Sequence, residues 1–162
     1  MVIRDATEGD WAQIWPFMRG IVRDGETYAY DTDMDEAAAR DLWLAGPSPR
    51  TAVAVQVDGT VLGAASMYPN RPGPGSHVAS ASFMVDPRAS GQGVGRALGE
   101  EALTWARANG FLAMQFNAVV ETNVRAVALW RSLGFEIIGT VPEAFRHPAA
   151  GYVGLHIMHR RL

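Results

Sequence analysis

One stretch constrains this 162-residue chain more than any other: Val85-Asp86-Pro87-Arg88-Ala89-Ser90-Gly91-Gln92-Gly93-Val94-Gly95-Arg96-Ala97-Leu98. The apolar run from Ala81 to Val85 stops at Asp86-Pro87, glycines alternate at Gly91, Gly93 and Gly95, and helix-spaced apolar residues follow. A strand, a glycine loop and a helix start present several unpaired N–H groups to a single anion. The helix dipole adds about half a positive charge there, and the missing Cβ atoms let phosphate oxygens approach. The ligand predicted by this stretch is a phosphorylated cofactor, and its neighbours decide which one.

Composition removes several alternatives. Hydrophobic content of 48% with 19% charged residues predicts an ordered chain, most simply one domain over residues 1–162. A net charge of −3 supplies no broad basic field for nucleic acid. Without cysteine there is no disulfide, thiol nucleophile or thiolate metal site. No basic n-region precedes an apolar stretch, and no run reaches the roughly 18 apolar residues of a membrane span. The expectation is a cytoplasmic protein with no membrane, nucleic-acid or metal partner. His156 and His159, three apart on a strand, point to opposite faces and make a poor metal pair.

The rest of the chain alternates regular elements. Val2-Ile3-Arg4 suits a first strand, and Thr7 with Asp10 resembles a capping arrangement before a helix from Trp11 to Val22. Pro16 is expected to kink or divide that helix. A polar loop from Asp24 to Asp33 leads to a second helix, Asp35 to Leu44, ending near Gly46-Pro47. Val53, Val55 and Val57 alternate on a strand face, Asp58-Gly59 predicts a two-residue hairpin, and strands follow at Val61–Tyr68 and Val78–Val85. Val94, Leu98, Ala102 and Trp105 form a helical stripe in which Glu101 is a misfit. Met114, Phe116 and Ala118 alternate along the next strand, opposite Gln115 and Asn117. A helix carrying Ala126, Leu129 and Leu133 stops at Gly134, and strands at Phe135–Val141 and Tyr152–His159 flank a Pro-containing loop.

This order separates the readings of the glycine loop. A dinucleotide fingerprint requires Gly-x-Gly-x-x-Gly early in a βαβ unit, but here Arg96 takes the last position and a hairpin comes first. A Walker loop requires Gly-Lys-Ser/Thr, which is absent.

Two motifs instead resemble the GCN5-related N-acetyltransferase (GNAT) superfamily. A Val-x-Pro lead with Arg/Gln-x-x-Gly-x-Gly lies over Val85, Pro87, Ser90, Gly93 and Gly95. An Asn-x-x-Ala-x-x-Leu-Tyr-x-x-x-Gly-Phe pattern lies over Asn123, Ala126, Leu129, Trp130, Gly134 and Phe135. The resemblance implies an α/β (α+β) fold: a mixed, mostly antiparallel seven-stranded sheet, about four helices, and splayed fourth and fifth strands holding acetyl-CoA. It implies a CoA pyrophosphate on Ser90, Gly91, Gln92, Gly93, Val94, Gly95 and Arg96, with Arg88 and Arg96 near the phosphates. It places the pantetheine along Phe83, Met84 and Val85, with the Val85 N–H as oxyanion donor and Asn123, Ala126 and Trp130 lining the tail.

Two departures stand out. Ser90 replaces the usual Arg or Gln, leaving the backbone to bind the phosphates. Trp130 replaces a Tyr that protonates the leaving thiolate, and an indole N–H is not a useful proton source. A CoA thiol with a pKa of roughly 8.5 can leave as thiolate or be protonated through water.

On the amine side, Glu26 is the candidate base, with Tyr28 and Tyr30 shaping the pocket. Its alternative is a solvated loop carboxylate. Asn117 either binds substrate or satisfies backbone at a strand end. The Asn117/Asn123 pair before Leu-Trp also resembles the yeast-type acetyltransferases of proline analogues, which implies a small amino or imino acid acceptor. The expected activity is acetyl transfer from acetyl-CoA to a small-molecule amine by direct attack in a ternary complex. A homodimer is a family-level expectation. The alternatives are an N-terminal or lysine acetyltransferase and a non-catalytic acyl-CoA-binding module.

Overall fold

A computed structural model describes residues 1–45 and 50–162. Gly46-Pro47, where the second helix was expected to end, lie outside the described residues. The elements are β1 (Val2–Asp5), α1 (Trp11–Asp24), α2 (Glu36–Arg40), β2 (Arg50–Val55), β3 (Val61–Pro69), β4 (Val78–Val85), α3 (Val94–Ala108), β5 (Ala113–Val120), α4 (Val124–Ser132), β6 (Glu136–His147) and β7 (Gly151–Arg161). A π-type turn, Asp41–Ala45, continues α2. The seven strands form one sheet in the order β1-β2-β3-β4-β5-β7-β6. All neighbours are antiparallel except β4 and β5, which are parallel as expected for strands joined through a helix.

The two faces of the sheet bury different helices. Val53, Val55, Ala64 and Met84 face α1 and α2, where Trp11, Ile14, Met18 and Trp43 complete a core. Ala81, Phe83, Met114 and Phe116 face α3 and α4, against Ala102, Leu103, Trp130 and Leu133. The predicted α3 stripe is buried, and the misfit Glu101 is explained because Arg50 Nη1 donates to it at 2.7 Å.

Several expectations need correction. Of the two outcomes expected of Pro16, division of the helix does not occur: α1 runs on until left-handed Gly25 (φ 64°), the buried apolar face outweighing the one N–H lost from the ladder. Val57 is 98% exposed and lies beyond β2, because the turn begins earlier than Asp58-Gly59. Gly59 N–H donates to Gln56 O at 3.0 Å, so Val57-Asp58 are the central residues and Gly59 (φ 87°) is the left-handed one. Ala118 is exposed and Val119 buried, since β5 carries an extra residue between Phe116 and Val119 that resets its alternation. The loop expected around Pro142 belongs to β6, with irregular pairing to β7 between Val141 and Phe145.

The entry to α1 is held by charge. Asp10, 5% exposed, accepts from Arg4 Nη1 and Nη2 at 2.7 Å each, from Thr7 N–H at 2.7 Å and from Thr7 Oγ1 at 2.8 Å. This confirms the Thr7/Asp10 cap and adds its tie to β1. Chiefly through the Arg4 bonds, against the cost of burial, the Asp10 carboxyl is held well below the usual carboxylate range. A depressed folded pKa stabilises above the unfolded value of roughly 3.9 and loses that contribution as pH falls. Asp10→Ala should cost about 2 kcal/mol at pH 6, with the gap from wild type narrowing below about pH 4 in urea titrations. A gap independent of pH would show that packing, not charge, holds this corner.

Candidate active site

Beyond β4 the chain turns through Asp86, a carboxylate 4% exposed that accepts from the Arg88 N–H at 2.9 Å and the Arg88 guanidinium at 2.6 to 3.1 Å. The charge-assisted bonds to Arg88 lower the Asp86 pKa. Arg88 therefore braces the turn, while most of its side chain stays exposed beside the loop. Gly91 and Gly93 both have φ 79°, and a Cβ on either would point into open space. The first α3 ladder bond runs from Ala97 N–H to Gly93 O, so the N–H groups of Val94, Gly95 and Arg96 precede the helical ladder. An open face, glycines without Cβ and leading amides of a 15-residue helix together fit an anionic phosphate group.

The side chains around this cradle are differently engaged. Arg96 donates to Ser132 Oγ at 2.8 Å and lies 3.6 Å from Glu100, linking α3 to α4. Gly95 and Gly99 make that approach possible: a Cβ would lie 3.2 Å from Leu129 Cδ2 at the first and 2.7 Å from Leu133 Cδ1 at the second. Sequence reasoning missed Arg125, whose Nη1 lies 3.4 Å from Ser90 Oγ. A guanidinium from α4 thus reaches the position where the Arg/Gln of the motif was absent. The available signal was its place beside Ala126 in the second motif.

The fork between β4 and β5 is the second part of the site. The strands pair only at Val78–Ala113 and Ala79–Met114. Asp86 N–H bonds Leu62 O on β3 at 2.8 Å, and pairing alternates, so the peptide groups of Phe83 and Val85 face away from β3 into the fork. The fork is filled on the α4 side by rings: Phe83 to Trp130 at 4.7 Å, Phe116 to Trp130 at 4.8 Å and Phe116 to Phe135 at 4.4 Å between centroids. Trp130 is 7% exposed and packs as the back wall of the fork. Asn123 caps α4, its Oδ1 accepting from Ala126 N–H at 3.2 Å.

The opposite face of the fork is polar. Ser82 Oγ lies 3.1 Å from Tyr68 Oη, and Tyr30 also bonds Ser82. Asn117 donates to Asn70 Oδ1 at 2.6 Å and accepts from Gln115 Nε2 at 2.9 Å. Burial raises the pKa of Tyr30, whose ring lies 5.1 Å from that of Tyr28. The Tyr28 hydroxyl donates to Phe83 O and accepts from Phe83 N–H at 2.9 Å. Glu26 is exposed in the α1–α2 loop two residues before Tyr28. The fold thus brings Tyr28 to the β4 edge with Tyr30 beside it and sets Asn117 on β5, and no contact ties the exposed Glu26 to them.

A glycine loop opening onto a helix start, beside strand peptide groups turned into a sheet fork, suits a phosphate-bearing carrier held in extended form. Residues 15–135 match the acetyltransferase (GNAT) family, and the chain belongs to it. It is 32% identical to the N-acetyltransferase aca1 of Schizosaccharomyces pombe, over 82% of this chain and 71% of that protein. A GCN5-related N-acetyltransferase from Kribbella flavida superposes with a TM-score of 0.96 at 64% identity, covering 99% of this chain and 97% of that one. A phosphinothricin acetyltransferase of the GNAT superfamily from Sinorhizobium meliloti, solved with acetyl-CoA, gives 0.87 at 27% identity over 99% and 88% of the two chains. The expected recognition, fold and acetyltransferase class are therefore established. Among the described residues no helix is long and apolar enough to cross a membrane.

Proposed function

We propose that this acetyltransferase moves an acetyl group from acetyl-CoA to the amine of a small molecule, an amino acid or close analogue, by direct attack in a ternary complex. The observation that carries the reading is the aromatic wall at the fork, where Tyr28 bonds the Phe83 peptide on the β4 edge and the Tyr30 ring packs 5.1 Å from it. The acetyl-CoA complex of the S. meliloti phosphinothricin acetyltransferase and the kinship with aca1 support the donor and the N-acetyl chemistry.

Each part of the site then has a role. The amides of Gly91, Val94, Gly95 and Arg96 would hold the pyrophosphate, the Gln92 N–H being bonded to Ala89 O, with Arg88, Arg96 and Arg125 nearby. Met84 pairs with β3, which keeps the Val85 peptide directed at the fork for an extended amide chain. Bound acetyl-CoA supplies a thioester carbonyl open to attack by a neutral amine. The Val85 N–H donates to the oxygen on which charge develops. Asn123 holds the start of α4 beside the tail, and Ala126 and Trp130 close the wall behind it. Glu26 accepts the ammonium proton at the solvent rim. The polar face of Ser82, Tyr68 and Asn117 orients the acceptor.

Free-thiol release tests the reading with acetyl-CoA and a panel of amino acids, cyclic imino acids and peptide amines. Small amines should turn over faster than peptides, and Glu26→Gln should lower kcat about a hundredfold with acetyl-CoA affinity unchanged. Turnover confined to peptides would refute the small acceptor. Acetyl-CoA binding with no thiol release for any amine would favour a binding module, and an unmoved kcat would remove Glu26 as base.

A further inference from the structure

Where α3 passes the end of α4, the described residues enclose a groove of about 520 Å3. The buried side chains of Leu103 and Leu133 contribute its apolar lining. Its charged lining, among the described residues, is three guanidiniums and one carboxylate: Arg96, Arg107, Arg160 and Glu100. Glu100 lies 3.6 Å from Arg96, which also donates to Ser132 Oγ, so one end of the groove is balanced in charge. Arg107 and Arg160 have no such partner: among the described residues neither forms an ion pair.

Arg107 stands in the last turn of α3, where one cation suits the helix dipole. The dipole does not account for a second one beside it. Arg160 comes from β7, opposite Met114, and one N–H of its guanidinium donates to the Leu133 carbonyl. The group lies over Gly134, where a Cβ would stand 3.4 Å from both Cζ and Nε of Arg160. That left-handed glycine (φ 83°) ends α4 and makes room for the guanidinium. A guanidinium has five N–H donors, and the other four of Arg160 meet no acceptor among the described residues. Burial, and then the charge of Arg107, lower the Arg160 pKa, so the two cations are close enough to repel. An anion between them relieves that repulsion.

We propose that Arg107 and Arg160 form a binding site for an oxyanion, the carboxylate or phosphate of a small molecule whose apolar part rests on Leu103 and Leu133. Guanidiniums match the paired oxygens of either group, and the groove has the volume of a small-molecule site. It is separate from the glycine loop: Arg107 follows Gly93 by 14 residues, about 21 Å along α3.

The test uses the whole protein with acetyl-CoA in excess, so that the cradle is filled, and follows the arginine Nε–Hε signals by NMR. Inorganic phosphate and hexanoate are titrated separately, against sodium chloride at the same ionic strength. Wild type should give saturating shifts with a Kd of about 1–10 mM for at least one of them, and Arg107→Ala should weaken it about tenfold. Arg107 is exposed, so this variant should keep the fold and the wild-type rate of acetyl transfer. Arg107→Glu sets a carboxylate beside Arg160. It should abolish the shifts and raise Tm by about 2 °C, because a repulsion becomes an attraction. Saturation by phosphate alone assigns a phosphate ligand, by hexanoate alone a carboxylate, and by both a site for either group. Shifts that do not saturate, shifts reproduced by chloride, or a Kd unaltered in Arg107→Ala would overturn the site. A lower Tm in Arg107→Glu would overturn it as well, by showing that the two cations do not face each other.

Discussion

Gly93→Val is expected to leave the chain folded while weakening acetyl-CoA binding roughly a hundredfold. Gly93 sits just before α3 at φ 79°, ψ 4°, a left-handed conformation that costs an L-residue about 1–2 kcal/mol and a β-branched one more. For a chain of this length that lowers Tm by a few degrees. The larger effect falls on the ligand. A Cβ at Gly93 meets no protein atom within 4 Å, so the added side chain occupies the open face where phosphate oxygens must reach the α3 amides. Losing two charge-assisted hydrogen bonds at about 1.5 kcal/mol each gives the hundredfold. Acetyl-pantetheine, which has no pyrophosphate, should bind wild type and variant alike. Calorimetry giving wild-type acetyl-CoA affinity for Gly93→Val would sink the pyrophosphate assignment.

Gly63→Ala is expected to be costlier than a single methyl suggests. Gly63 on β3 pairs with Val85, and its absent side chain is directed at three things at once. A Cβ would lie 2.8 Å from Met84 O, 3.1 Å from Val94 Cγ1 and 3.2 Å from Val85 Cα. The first and last are backbone, which cannot rotate away, and Val94 opens α3 directly behind the glycine loop. Here the strand edge, the cradle and the neighbouring strand approach within one methyl group. Overpacking of this kind costs about 1–3 kcal/mol, or about 2–4 °C in Tm for each kcal/mol at this length. The catalytic loss should exceed the stability loss, because moving the Val85 N–H by about 1 Å can reduce turnover about a hundredfold. A variant with wild-type melting and wild-type kcat would mean that β3 yields without disturbing β4.

Much of this was legible because it is local. The strand ending at Val85, the glycine loop and the stripe Val94, Leu98, Ala102 and Trp105 depend on periodicity and on residues a few positions apart, and the structure agrees. The cap of Thr7 on Asp10 is local too. The failures have a common cause. Ala118 and Val119 exchange places because β5 gains its extra residue from pairing with β7, some forty positions later. Val57 leaves its strand because the turn takes its register from β3. The candidate site divides in the same way. The residues of the two motifs converge on the loop and fork, whereas Arg125 reaching Ser90 is a contact between segments 35 residues apart.

By itself the sequence marked the glycine loop before and at the start of an amphipathic helix as the candidate phosphate cradle, and with the second motif it pointed to the family. Only the tertiary structure decided how much of the β4 edge remains open. That depends on where β4 and β5 stop pairing and on a hydroxyl brought from the α1–α2 loop to the Phe83 peptide. Hydrogen bonds between distant segments leave no periodicity in the chain, so the extent of unpaired β4 edge could be read only once the sheet was assembled.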